Sequence, residues 1–152
     1  MSAEQVRETM QSYVEALLAR GDYRRFFADD IRLEVVGTDQ RVQGAEAAEQ
    51  VIRFLHEVAF DASPEITNVL VDDRGAAAEA TFVGTHVGEF AGIGATGSAV
   101  RVPYSVFYEL DGGANTALRI YMAMEQLVAQ IEIGPERGPG GGFRTSGDDA
   151  RN

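Results

Sequence analysis

The sequence predicts an α+β domain whose helices come first along the chain and whose strands follow. Apolar residues recur at helical spacing in two stretches that end before residue 63. Four extended runs, separated by turn sequences, then lie between residues 65 and 122. Because the helical and extended patterns are segregated, we expect a mixed or antiparallel sheet with helices packed against it.

Two long helices are predicted from the spacing of their apolar residues. Helix 1 is expected over residues 3–20, because the glycine of Arg20-Gly21-Asp22 supplies a stop signal. Helix 2 is expected to begin at Gly44 and to end before Ser63-Pro64, since the residue before a proline disfavours helix. A short helical turn through Tyr23–Phe27 follows helix 1. The two apolar stripes are Val6, Met10, Tyr13, Val14 and Leu17, and Ala48, Val51, Ile52, Leu55, Val58 and Ala59.

The strands are predicted from alternating or extended runs with turn residues between them. Residues 31–36 alternate as a half-buried strand does, and Gly37–Gln40 is typical of a turn. The later strands are expected at residues 65–71, 77–88, 100–110 and 116–122, with turns at 72–75 and 111–113.

Glycines cluster in the middle of the strand region, where a strongly curved sheet would need them to bend. A sheet that curls around helix 1 in this way would leave an apolar cavity between the two. An ordinary glycine-rich hairpin is the alternative. The clustered residues are Gly84, Gly88, Gly92, Gly94 and Gly97.

The last nineteen residues, 134–152, are dense in glycine, proline and polar side chains, and Phe143 is their one large apolar residue. Such a composition cannot bury enough apolar surface to fold. We therefore predict one folded domain over residues 1–133 and a disordered tail over residues 134–152.

The composition excludes several classes of function. The chain has 152 residues, a formal charge of −11, no cysteine and no lysine, which excludes thiol chemistry and a lysine nucleophile. The negative charge disfavours nucleic acid and suits an uncharged or apolar ligand. No run approaches the roughly 20 apolar residues of a membrane span, and the N-terminus lacks the apolar core of a signal peptide. A soluble cytoplasmic protein that needs no membrane partner is expected.

Two short motifs carry little weight. Gly92–Gly97 matches the dinucleotide-binding pattern, but that pattern must open a helix, and here a strand is expected to follow. His56-Glu57 begins like a zinc-protease helix, but Phe60 stands where the second histidine belongs. We expect neither a nucleotide cofactor nor a metal.

The stretch Thr81–Leu110, the segment Arg119-Ile120-Tyr121 and the closing Met124–Ile131 together resemble the SnoaL-like polyketide cyclases, within the NTF2-like and ketosteroid-isomerase-like superfamily. The resemblance covers most of residues 3–132. It implies a cone in which a curved sheet wraps around helix 1 and encloses an apolar cavity. It also implies a cofactor-independent enzyme that acts on an apolar small molecule, and a homodimer formed through the outer face of the sheet.

Two positions at which such proteins carry a catalytic carboxylate are apolar in this chain. The isomerase segment that resembles Phe27–Val35 ends in glutamate-aspartate, whose aspartate is the base, whereas this chain has Val35. In many SnoaL-like cyclases the last strand has the pattern arginine-x-tyrosine-x-aspartate, whereas here Arg119-Ile120-Tyr121-Met122 leads to Ala123. Both expected bases are missing.

The remaining polar residues provide the candidate site. Alternation puts Arg119, Tyr121 and Ala123 on one face of the last strand, and the resemblance implies that this is the cavity face. Tyr13 aligns with the isomerase tyrosine that donates to an oxyanion, and Ser105 with its protonated aspartate. The residues expected on the opposite face of the last strand are Leu118, Ile120 and Met122.

His86 and Glu34 are retained as candidate bases. Structural roles stay open for the whole set: core packing for Tyr13, a backbone cap for His86, small size for Ser105, and an ion pair with Glu34 or Glu109 for Arg119.

The missing carboxylates bear on mechanism. Aldol cyclisation and epoxide hydrolysis need a base, whereas a [4+2] cycloaddition needs only a pocket that folds the substrate and donors that polarise it. We therefore predict a polyketide-type cyclase that works by shape, in which Tyr13, Tyr121, Ser105 and Arg119 hold and polarise the substrate. A non-catalytic binding protein and an isomerase or epoxide hydrolase with a relocated base are the alternatives.

Overall fold

The computed structural model describes residues 1–133, so the predicted disorder of residues 134–152 lies outside it. The helices of this range are α1 (Ala3–Leu18), α2 (Ala45–Arg53) and α3 (Met124–Ile133), with a 3₁₀ turn at Tyr23–Phe26 and a π-helical turn at Phe54–Val58. The strands are β1 (Phe27–Val35), β2 (Arg41–Gln43), β3 (Phe60–Val71), β4 (Gly75–His86), β5 (Ala99–Asp111) and β6 (Ala114–Met122).

The six strands form one mixed sheet in the order β2-β1-β6-β5-β4-β3. β1 runs parallel to β6, and the other neighbours are antiparallel. The predicted α+β class with a mixed sheet is confirmed. None of the helices within residues 1–133 is long and apolar enough to cross a bilayer.

Local signals explain where α1 begins and ends. Ser2 caps its N-terminus: the Ser2 side chain accepts from the Gln5 backbone N–H, while the Gln5 side chain accepts from the Ser2 N–H. At the other end, Arg20 has a φ of 53° and the Gly21 N–H bonds to the Ala16 carbonyl. This left-handed closure ends the helix at Leu18, two residues before the predicted end.

The sheet curls around α1, and its inner face forms two apolar clusters. The α1 core packs Val6, Met10 and Tyr13 against the inner side chains of β1, β5 and β6. The α3 core joins Leu127 and Ile131 to the start of β3 and the facing parts of β4 and β5; its other members are Ala59, Phe60, Ala62, Phe82, Val100 and Val102. Tyr104 and Met122 pack against both cores.

Helix α3 also completes the edge of β5. Residues 99–103 extend beyond the last pair between β5 and β6, which is Tyr104 with Met122. There the Arg101 N–H donates to Gln130 Oε1 at 2.8 Å, and Gln130 Nε2 donates to the Arg101 carbonyl at 2.9 Å. The side chain of one helical residue therefore satisfies both backbone groups of a strand residue.

The predicted end of the second helix and the start of the next strand are wrong. Regular helix stops at Arg53, and β3 begins at Phe60 instead of Glu65, so that Ser63-Pro64 lies inside a strand. Proline is tolerated there because β3 is an edge strand and pairs with β4 alone. The three-residue strand β2 and the first residues of β1 were also not predicted.

Gly84 lies where β3 and β4 come unusually close. A Cβ at this position would overlap the Asp61 carbonyl oxygen and the Cβ of Ala62, its partner across the strands. A Cβ at Gly94, in the loop after β4, would meet nothing within 4 Å. Of Gly84 and Gly94, only Gly84 is therefore required by packing.

We expect Gly84→Ala to lower the free energy of unfolding by about 3 kcal/mol, because the new methyl group forces the two strands apart. Urea denaturation measures the change. Gly94→Ala is the matched control and should shift stability by less than about 0.5 kcal/mol. Equal effects of the two substitutions would show that the close approach at Gly84 does not constrain the sheet.

Candidate active site

A cavity of about 350 Å³ lies at the open end of the cone and is called the mouth cavity here. It is bounded by the ends of β1 and β6, the turn after β1, the end of α2 with its π-helical turn, the loop after β4 and the start of α3. Its apolar wall includes Val35, Leu55, Phe90, Ile120, Met122 and Met124.

The polar groups of this cavity are confined to the turn between β1 and β2, at Thr38, Asp39 and Gln40. The Thr38 hydroxyl donates to the Val35 carbonyl at 2.8 Å and accepts from the Gln40 N–H at 3.0 Å, so it mainly holds the turn. Asp39 is solvent-exposed. The cavity therefore suits a largely apolar molecule with polar contacts at its rim.

The two positions expected to carry catalytic carboxylates lie at or beside this cavity. Val35 lines it directly, and Ala123 packs at the edge of the α3 core next to the cavity residue Met124. Neither side chain can take up a proton. These two positions therefore border the cavity without supplying it with an acid-base group.

The cavity-facing placement predicted for Arg119 and Tyr121 is wrong. Alternation along β6 is as expected, but Leu118 and Ile120 are the buried residues, at 1% and 7% exposure, whereas Tyr121 is 42% exposed. The apolar residues take the inner side because they complete the α1 core. Arg119 instead forms an ion pair with Glu109 on the outer face, which is one of the structural roles left open for it.

Ser105 and Glu34 share this outer face. Ser105 stands directly opposite Tyr121 in the β5–β6 pair, and Glu34 lies beside Arg119 in the β1–β6 pair. Glu34 also forms an ion pair with Arg41 at 3.4 Å. Four of the six candidate residues therefore lie together, but on the side of the sheet away from the mouth cavity.

Tyr13 lies in the middle of the α1 core. Its ring packs against four aromatic rings at centroid distances of 5.7 to 6.2 Å, those of Tyr23, Phe26, Phe27 and Tyr108. Burial, assisted by Tyr108, raises the pKa of Tyr13 well above its usual 10. The hydroxyl stays protonated, and its surroundings are those of a packing residue.

His86 is completely buried at the end of β4. The Thr96 N–H donates to His86 Nδ1 at 3.2 Å, so a neutral His86 carries its proton on Nε2. Within residues 1–133 this Nε2 has no hydrogen-bond partner. His86 thus organises the loop after β4, and its free ring nitrogen is a donor in the neutral form, whereas a base needs a lone pair.

His56 is a residue that sequence reasoning set aside with the zinc motif. It lies in the π-helical turn, a feature often found at functional sites. Its Nδ1 lies 2.7 Å from the Ile52 carbonyl, which can only accept, so the proton is on Nδ1 and Nε2 keeps a lone pair. That Nε2 is buried and has no partner among the described residues. Burial is the main cause of a lowered pKa for His56, and the charge of Arg20 adds to it.

A curved six-stranded sheet around α1, with a cavity at its open end, is the NTF2-like cone. The sequence model of the SnoaL-like polyketide cyclases matches residues 7–131, and the chain belongs to this family. The family predicted from the sequence is confirmed. No curated protein sequence matches the chain.

Solved structures with similar folds belong to proteins that are assigned to different activities. A candidate SnoaL-like polyketide cyclase from Jannaschia sp. CCS1 is 22% identical, with a TM-score of 0.77 over 88% of this chain and 95% of its own. A candidate ketosteroid isomerase from Kribbella flavida is 22% identical, with a TM-score of 0.63 over 79% and 78%. An LEH-like epoxide hydrolase from M. tuberculosis is 18% identical, with a TM-score of 0.67 over 88% and 92%. These likenesses show the fold.

The lowered pKa of His56 makes stability depend on pH. Between the folded pKa and the ordinary value of 6.5, the unfolded chain binds more protons than the folded chain. The free energy of unfolding should therefore fall as the pH drops below about 6.5. We expect His56→Gln, which cannot titrate, to lose less stability than the wild type from about pH 7.5 to about pH 5 in urea denaturation. Parallel losses in the two proteins would show that His56 titrates normally.

Proposed function

We propose that the protein is a cofactor-independent cyclase that binds a largely apolar, polyketide-type intermediate in the mouth cavity and closes a ring by holding it in a reactive conformation. The observation that supports this is the apolar wall, with Val35 and Ala123 at the positions of the expected carboxylates. Membership of the SnoaL-like family supports an enzyme acting on a small molecule.

A [4+2] cycloaddition fits such a wall. Two carbon–carbon σ bonds form while three π bonds become one, no proton is transferred, and the product is an isomer of the substrate. Catalysis then depends on orientation, and holding the reacting atoms in place can remove several kcal/mol from the barrier. The wall residues Leu55, Phe90 and Met122 would supply the shape.

The polarising role predicted for Tyr13, Ser105, Tyr121 and Arg119 does not form part of this proposal. Tyr13 is enclosed in the α1 core, and the other three lie on the outer face. In the cavity lining the side-chain amide of Gln40, on the turn after β1, is a donor instead, because the Thr38 hydroxyl already donates to the Val35 carbonyl.

The test is to incubate the protein with conjugated polyene and polyketone intermediates and to compare the mass and pH dependence of any product. Cycloaddition gives an isomeric product and a kcat/KM that is flat above about pH 6.5, because no base titrates. Aldol closure with dehydration loses a water molecule and epoxide hydrolysis gains one, and either product would refute the cycloaddition. Tight binding without turnover would identify a binding protein instead.

A matched pair of substitutions tests the location of the site. Met122→Trp adds bulk to the cavity wall, whereas Tyr121→Trp changes the neighbouring residue on the outer face. In the same assay, Met122→Trp should reduce kcat/KM at least about tenfold and Tyr121→Trp should leave it unchanged. A loss of kcat/KM in Tyr121→Trp alone would show that the site lies on the outer face.

We further propose that two copies of the chain pair through the outer face of the sheet. Phe107 and Tyr121 are 44% and 42% exposed there, and their rings meet edge to face at 5.8 Å. The Arg119–Glu109 ion pair borders them. Contiguous exposed aromatic surface of this kind is typical of interfaces.

Light scattering after size-exclusion chromatography should give a dimer mass for the wild type and a monomer mass for Phe107→Glu, because the interface would lose an aromatic ring and would have to bury a carboxylate. Leu70→Glu, at an exposed apolar residue on the edge strand β3, is the control and should remain dimeric. A wild-type monomer, or a Phe107→Glu dimer, would contradict this interface.

A further inference from the structure

His56 Nε2 is a buried acceptor that the fold leaves without a donor. The hydrogen bond from Nδ1–H to the Ile52 carbonyl, at 2.7 Å, fixes the ring and directs the Nε2 lone pair away from α2. Nε2 has no partner within residues 1–133. A buried acceptor without a hydrogen bond lowers the stability of the fold. We therefore expect a molecule with a donor group to bind at His56 Nε2.

His56 does not line the mouth cavity itself, but neighbouring residues join it to the cavity wall. Leu55, the preceding residue of the π-helical turn, lines the cavity. The His56 ring packs edge-on against Phe82, with the centroids 5.4 Å apart, and Phe82 packs against Tyr104 and Phe60. Phe60 in turn contacts the cavity residue Phe90. His56 is thus connected to the cavity wall through Leu55 along the chain and through the ring contacts that lead to Phe90.

The charged side chains near His56 form hydrogen bonds or ion pairs with other groups and not with Nε2. Arg20 and Glu57 are the charged groups that act on His56. Arg20 is bonded to Asp61 at 2.8 Å and to the Ala62 carbonyl at 2.9 Å, and Glu57 is paired with Arg53 at 2.8 Å. The Phe82 ring, which packs against His56, carries no charge. The free lone pair of a neutral imidazole is thus available to a neutral donor.

We propose that His56 Nε2 accepts a hydrogen bond from a hydroxyl group of the bound molecule, so that the ligand of this protein is an apolar molecule with a phenol, enol or alcohol at its inner end. This inference rests on the proposed function, because it assumes that the apolar body of the ligand fills the mouth cavity. Met122 and Leu55 line the cavity and pack against the α3 core, so the proposal requires these side chains to make room for the hydroxyl, which the long, unbranched Met122 can do by changing rotamer.

The probes are 2-naphthol and its methyl ether, 2-methoxynaphthalene, which differ in the hydroxyl hydrogen that the proposal requires. Dissociation constants are measured by calorimetry for the full 152-residue chain and for two variants. His56→Leu removes the acceptor and fills its volume, whereas His56→Gln keeps a side-chain oxygen. Relative to the wild type, the preference for 2-naphthol over the ether should fall about tenfold in His56→Leu and distinctly less in His56→Gln.

The wild-type protein provides a measurement that does not depend on how the variants fold. In ¹⁵N NMR of labelled histidine, 2-naphthol should shift the His56 Nε2 resonance and 2-methoxynaphthalene should not. His86, whose Nδ1 is held by Thr96, is the internal reference.

The outcomes separate the two proposals. If both probes bind, with the same preference in wild type and His56→Leu and an unmoved Nε2 resonance, the hydroxyl contact is refuted while the cavity stands; a water molecule resident on Nε2 would give this result. If neither probe binds and Met122 methyl signals do not move, the cavity proposal fails as well. A selective Nε2 shift together with the lost preference in His56→Leu supports the contact.

Discussion

The packing of aromatic rings around Tyr13 holds α1 inside the sheet, and the other features of the fold depend on it. With α1 enclosed, the inner face of β1, β5 and β6 is largely apolar, and most polar residues of these strands, although not the buried Asn115, face outward. The same enclosure fills the space around Tyr13 with side chains, whereas the mouth cavity is lined by elements other than α1. The proposed ligand site therefore lies outside the group of aromatic side chains that holds α1.

The sequence predicted the elements well where one signal dominated. The apolar stripe of α1 and its glycine stop located that helix to within two residues, and the turns at 72–75 and 111–113 separate strands as expected. It failed where tertiary contacts decide. The strand at Phe60 forms because it pairs with the end of β4, and β2 is too short to show alternation. The π-helical turn has no signature in the spacing of apolar residues.

The candidate site shows a different limit. Alternation with a period of two correctly separated Arg119 and Tyr121 from Leu118 and Ile120, but it could not say which set faces inward, because both solutions have the same period. The family resemblance assigned Arg119 and Tyr121 to the inner face, which is wrong. The same resemblance singled out the position of Val35, which does line the cavity. The state of His56 was beyond sequence reasoning, since its tautomer and its unpaired nitrogen arise from a carbonyl and a ring that only the fold brings near.

Gln130 has a consequence for how copies of this chain behave together. The first residues of β5 pair with β4 but have no strand on the side of β6, and an unpaired strand edge is a template on which another molecule can add a strand. The Gln130 amide forms hydrogen bonds with both the N–H and the carbonyl of Arg101, so these backbone groups cannot pair with a strand of another molecule. Helix α3 thus prevents edge-to-edge aggregation at the start of β5. At the opposite edge, β3 relies on the proline at position 64 and on the charges of Asp61 and Glu65.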